Sequence, residues 1–188
     1  MKWHGILSMA LAAGLAGCAS PSGSSSGGAG TERPNVHVAS EAAGIDKVGI
    51  LPFKAATTLI GSSVSDMFVT EFMKLGRYEF VERSQMSGVL GETEVALSGL
   101  TAGQAARLGE MAGANGVIIG TVSEYEMVAM GGRTYPVVGI SVRLIDSATG
   151  KILWSVDHSE RGGKGDTLSR HARAVVQHMS TALAKQLR

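Results

Sequence analysis

The chain has 188 residues, room for one ordinary domain, and 44% of them are apolar, enough to furnish a core. Its 17 basic residues nearly balance 16 acidic ones, which excludes a general nucleic-acid binder whose affinity rests on neutralising phosphates. A single cysteine excludes an intramolecular disulfide, and no segment after residue 17 has the length and apolarity that predict a membrane helix.

Lys2 and His4 precede an almost unbroken apolar stretch, Ile6 to Ala16. That stretch is shorter than the roughly 20 residues a spanning helix needs, and it ends in small residues as secretory signals do. Leu15-Ala16-Gly17-Cys18 resembles the lipobox of bacterial lipoproteins. The resemblance implies cleavage between Gly17 and Cys18 and lipidation, palmitate included, at Cys18. Several acyl chains on one residue exceed the two-signal requirement for stable membrane attachment. Cleavage removes Lys2 and leaves 17 − 1 = 16 basic residues against 16 acidic ones, a side-chain charge of zero. Ala19 and Ser20 follow the lipidated position without the Asp of the usual retention signal, so the expected location is the periplasmic face of the outer membrane.

Residues 18–44 read as a tether and a lead-in: the Ser/Gly-rich Ala19 to Gly30 (SGSSSGGAG) cannot bury enough apolar surface to order itself, and Thr31 to Ala43 reads as a more ordered lead-in. The glycines lack the preceding strand and the Gly-Lys-Ser/Thr ending of a phosphate cradle. The folded domain is expected over 45–188. Lys47 to Phe53 (KVGILPF) predicts a buried strand. Ser63 to Asp66 reads as a capping box for a helix carrying Val64, Met67, Phe68, Phe72 and Leu75, with Gly76 at its end. Tyr78 to Glu82 predicts a second strand, Ser84 caps a second helix, and Thr101 to Gln104 is a capping box opening a third through Leu108 and Met111. Gly116 to Val122 (GVIIGTV) predicts a buried strand that extends toward Met130, turns near Gly131-Gly132 and returns through Val138 to Asp146, with Val138, Ile140, Val142 and Leu144 inward. In Ile152 to His158, Ile152, Trp154 and Val156 share a face. Thr167 to Leu187 closes the chain as an amphipathic helix. This order predicts an α/β fold, a mixed sheet of about five strands packed by helices in two or three layers.

KVGILPF, GRYEFVERSQMSGVLGE, AARLGEMAGANGVIIGTVSEY and VRLIDSATGKILWS together resemble the CsgG family, named for the curli secretion channel lipoprotein, over Lys47 to Ser155. The resemblance implies an anticodon-binding-domain-like core, shared with LpoB-like lipoproteins that activate penicillin-binding proteins. It also implies a short form. Where the channel has a constriction loop with aromatic and Asn residues, Lys54 to Ser62 reads KAATTLIGS. The channel's two transmembrane hairpins find no counterpart.

No catalytic, cofactor or metal site is expected. His171 and His178 stand seven apart on one helix, not at the three or four of helical metal pairs, with no carboxylate at ligand spacing; with His158 they read as solvent-edge histidines. Asp166, Ser169 and His171 lack the strand-turn-helix context of a nucleophile. Glu124 and Glu126 share a strand face and read as solvated surface. Glu82-Arg83 reads as a local ion pair or cap, and Arg161, Lys164, Arg170, Arg173, Lys185 and Arg188 as a solvated basic face.

In the hairpin from Thr121 to Gly139, period two places Thr121, Ser123, Tyr125, Met127 and Ala129 on one face, and Val122, Glu124, Glu126, Val128 and Met130 on the other. Neither face is apolar throughout, and the return strand reads as short, with Arg133 and Pro136. A pore formed by the protein alone is therefore not expected. The tip, with Met127, Val128 and Met130, is the expected partner contact. The function implied is non-enzymatic: an outer-membrane lipoprotein acting by protein contacts in envelope assembly or secretion, with membrane contact through Cys18 and homo-oligomers at high local concentration. The alternative is an LpoB-like activator of a penicillin-binding protein. Neither nucleic acid nor a small-molecule substrate is expected.

Overall fold

The computed structural model describes residues 33–82, 84–85 and 101–188. The chain runs β1 (Asn35–Val38), a 3₁₀ turn (Ser40–Gly44), β2 (Lys47–Ile50), α1 (Thr58–Leu75), β3 (Glu79–Phe80), α2 (Ala102–Met111), β4 (Gly116–Met130), β5 (Arg133–Asp146), β6 (Ile152–Arg161) and α3 (Leu168–Gln186). The expected helix opening at Ser84 falls mostly on residues 86–100, outside the described residues, as do the signal stretch, Gly17, Cys18 and the tether.

The six strands form one mixed sheet in the order β1-β6-β5-β4-β2-β3. β2 runs parallel to β3 and β4; β4, β5, β6 and β1 are successively antiparallel. The α/β fold is the expected one, with a sixth strand. That strand comes from the lead-in: Asn35–Val38 pairs with Trp154–Asp157, so residues before 45 belong to the sheet. Four residues of alternating exposed and half-buried character carry too weak a pattern to be read alone.

Helices α1 and α3 cover one face and α2 the other. The core between these two helices and the sheet holds Phe53, Phe68, Phe72, Ile118, Leu144, Trp154, Met179 and Leu183, each at most 1% exposed. Fully burying a side chain of this kind contributes about 1.5–3 kcal/mol. Tilted and edge-on ring pairs connect Phe53 to Phe68 (5.5 Å), Phe68 to Phe72 (5.5 Å) and Phe72 to Trp154 (5.8 Å). Trp154 Nε1 donates to the Tyr78 hydroxyl at 3.1 Å, which satisfies a buried donor. On the opposite face α2 packs Ala105, Ala106 and Gly109 onto Val117, Ile119 and Ile145.

Several boundaries depart from the expected ones. α1 starts earlier: Thr57 caps it, its hydroxyl accepting from the Ile60 N–H at 3.3 Å, and Ser63 to Asp66 lie inside the helix. Much of the Lys54–Ser62 segment is thus helix. β3 shortens to two residues. In β6, an irregularity opposite Leu144/Ile145 buries Leu153 beside Trp154 and leaves Ile152 44% exposed, so Ile152 does not share the buried face. The Thr101 capping box is present, with both reciprocal bonds to Gln104. Gly76 ends α1 in the left-handed conformation.

Candidate functional site

Two features stand out from the folded core. The first is the β4–β5 hairpin. β5 is continuous from Arg133, so the return strand is longer than expected and pairs with β4 as far as Met130↔Arg133. Gly131 (φ 56°) and Gly132 (φ 71°) both occupy positive φ, as a tight two-residue turn of this hand requires. β2 pairs with β4 only at Gly116–Ile118, and Lys54 adds one bridge at Thr121. From Ser123 to Met130 the outer edge of β4 therefore faces no strand among the described residues. Beyond Val137 and Glu126, β6 no longer pairs with β5, and the hairpin continues as two strands.

A bulge between Val122 and Glu124 alters the expected faces. Val122 pairs with Ile140, and Tyr125 with Val138, so both share the α1/α3 side; Glu124, Glu126, Val128 and Met130 take the other. Strict alternation puts Val122 with Glu124, and one extra residue separates them. Glu124 accepts a hydrogen bond from the Ser159 hydroxyl. At the tip Met127 (44%) and Met130 (47%) are exposed and Val128 is half-buried. Arg161 lies over the Tyr135 ring at 5.2 Å and its guanidinium contacts Met130 Sδ at 3.4 Å.

The second feature is a histidine cluster between β6 and α3. Period two on β6 sends His158 and Glu160 to the same face, the one α3 covers. His158 Nε2 lies 3.2 Å, and His178 Nδ1 3.0 Å, from Glu160 Oε2. The His158 and His178 rings meet edge-on at 6.3 Å. His171 Nε2 sits 2.8 Å from the Glu160 backbone oxygen. His158 and His171 are each 5% exposed, so neither is a solvent-edge residue, and a carboxylate does stand at ligand distance, that of Glu160. His171 and His178, seven apart, are not the pair that meets: His178 joins His158 and Glu160, while His171 is engaged by the backbone. His158-x-Glu160 at strand spacing is the signal that points to the cluster.

The remaining candidates separate. Asp166 accepts from the Gly163 N–H at 2.8 Å and faces Arg170 at 3.6 Å, while His171 turns to Glu160; no triad forms with Ser169. Arg83 is outside the described residues. Far from these groups, the Glu41 carboxyl is held below the ordinary range by its own backbone N–H and by the Ser40 hydroxyl. Among the described residues no helix is long and apolar enough to cross a membrane.

Residues 40–177 match the family model described as "Curli production assembly/transport component CsgG". The chain belongs to the CsgG family. No curated protein sequence matches it. Among solved structures, the PelC dodecamer from Paraburkholderia phytofirmans aligns with a TM-score of 0.59 at 19% identity, covering 80% of this chain and 96% of that one. A lipoprotein from Neisseria meningitidis aligns at 0.53 and 18%, covering 72% and 99%. The LpoB C-terminal domain from Escherichia coli aligns at only 0.44 and 18%, covering 61% and 81%. The first two likenesses establish a shared fold for the CsgG-family core.

Proposed function

We propose that this CsgG-family protein is a non-enzymatic lipoprotein of the cell envelope, anchored through Cys18, that works by protein contacts and self-associates through its β4–β5 hairpin. The observation that carries the reading is the hairpin's unpaired edge, Ser123 to Met130, with Met127 and Met130 exposed at its tip. An open edge offers backbone donors and acceptors to another strand, and two exposed thioethers supply adaptable apolar contact. Glu124 and Glu126 on that strand keep the edge from pairing indiscriminately. PelC from Paraburkholderia phytofirmans is a dodecamer, which supports self-association as a use for this fold. Anchoring to a membrane raises the effective concentration of copies and favours it further.

The test is to place a photo-crosslinking residue at Val128 in the lipidated protein, in its own membranes. Cross-linked species at multiples of the chain mass, reduced by Met127→Asp with Met130→Asp, are expected. A wholly monomeric protein, with no cross-links at this position, refutes self-association. Cross-linking to a cell-wall synthase instead would favour the activator reading.

A further inference from the structure

We infer that His158, Glu160 and His178 form a binding site for a divalent transition-metal ion, zinc being the best fit. The three ligating atoms, His158 Nε2, a Glu160 carboxylate oxygen and His178 Nδ1, lie within 4.8 Å of one another. Zinc holds imidazole nitrogen and carboxylate oxygen at about 2.0–2.2 Å in a tetrahedron, which separates neighbouring ligand atoms by about 3.3–3.5 Å. The observed separations from Glu160 Oε2, 3.2 and 3.0 Å, are close to that edge length, while the two imidazole nitrogens, within 4.8 Å of each other, would be drawn together by rotation of the half-exposed His178 side chain.

Folding, not the metal, holds two of the three ligands in place. The His158 side chain is 2% exposed and that of Glu160 19%, both on the C-terminal end of β6, where the strand still pairs with β5. His171 grips the Glu160 backbone oxygen at 2.8 Å and steadies the strand beneath the ligand, as outer partners do in metal sites. The His178 side chain is 47% exposed, which leaves a path of access and a side of the site open to water or another ligand. Two imidazoles and one carboxylate suit zinc and the other first-row divalent ions over magnesium or calcium, which prefer all-oxygen shells. A bound ion would join α3 to the sheet through side chains from both.

The full-length lipidated protein, stripped with a chelator and held in detergent, is titrated with Zn²⁺ by calorimetry. One ion per chain is expected. His178→Ala alters a half-exposed side chain, so the fold should survive, as circular dichroism would verify. It should weaken binding on the order of 100-fold, at least the loss seen for outer partners of metal sites. Zn²⁺ should shift the side-chain ¹⁵N resonances of His158 and His178 while His171 keeps its bond to Glu160. Absence of saturable binding of Zn²⁺, Co²⁺ or Ni²⁺ overturns the inference. So does undiminished affinity in the folded His178→Ala protein, or zinc shifts at His171 in place of His158.

Discussion

Replacing Gly61 by Ala sets two physical effects against each other. Gly61 lies in the first turn of α1, where helix propensity alone favours Ala by about 1 kcal/mol. Tertiary packing reverses the sign. A Cβ at Gly61 falls 1.9 Å from the Phe53 carbonyl oxygen, 3.0 − 1.9 = 1.1 Å inside the closest approach that real Cβ atoms keep. The obstacle is backbone, and that backbone is pinned. The Phe53 N–H donates to the Gly61 carbonyl at 3.3 Å, and the neighbouring Leu51 and Lys54 N–H groups donate to Ile118 and Gly120 of β4. Relief therefore requires α1 to lift from the sheet by about 1 Å, loosening Phe53 against Phe68. Overpacking of this kind costs about 1–3 kcal/mol, occasionally more, and the backbone obstacle puts Gly61 at the upper end. After the propensity gain, a net loss of about 2 kcal/mol remains. The assay is urea unfolding of residues 31–188, followed through Trp154, the one tryptophan in that span. With an m-value of about 1–3 kcal/mol/M the midpoint should fall by about 1 M. Gly103→Ala in α2, where a Cβ meets nothing within 4 Å, is the control and should gain up to about 1 kcal/mol. A Gly61→Ala protein as stable as the wild type would refute the packing argument.

Three further outcomes are expected. Tyr78→Phe removes the acceptor of the buried Trp154 N–H and should cost about 1–3 kcal/mol in the same unfolding assay; an unchanged midpoint would contradict this. Cys18→Ser should abolish incorporation of a fatty-acid analogue and leave unprocessed precursor; equal labelling of the two proteins would end the lipoprotein reading. The purified lipidated protein in planar bilayers should give no stepwise conductance, since Glu124 and Glu126 lie on one face of the β4–β5 hairpin and would have to enter hydrocarbon or a lumen with it; reproducible channel currents from the protein alone would contradict this.

Much of the fold is legible in local pattern. The inward alternation of Val138, Ile140, Val142 and Leu144 is what burial on one face demands, and all four are buried. In the apolar stripe of α3, Ala172, Val175, Val176, Met179 and Leu183 are buried while Leu168 and Leu187 at its ends are half-buried, and the Thr101–Gln104 cap closes as its residue types require. These features depend on neighbours a few residues away. The apolar-run strands follow from the same signals.

Other features exist only through contacts between distant segments. Asn35–Val38 becomes a strand because β6 offers it an edge. The bulge at Val122/Glu124 breaks the alternation on which face assignments rest, and only the register with β5 reveals it. Thr57 displaces Ser63 as helix cap because Gly61 can sit against Phe53, a close approach invisible to local pattern. Strand spacing puts His158 and Glu160 on one face, but His178, 20 residues from His158, joins them through the packing of α3 on β6. Local sequence determined the three described helices and most strands, since periodic burial and capping are short-range. Tertiary structure alone decided the sixth strand, the shifted hairpin face and the His-Glu-His cluster, since register and helix-on-sheet packing join residues far apart in the chain.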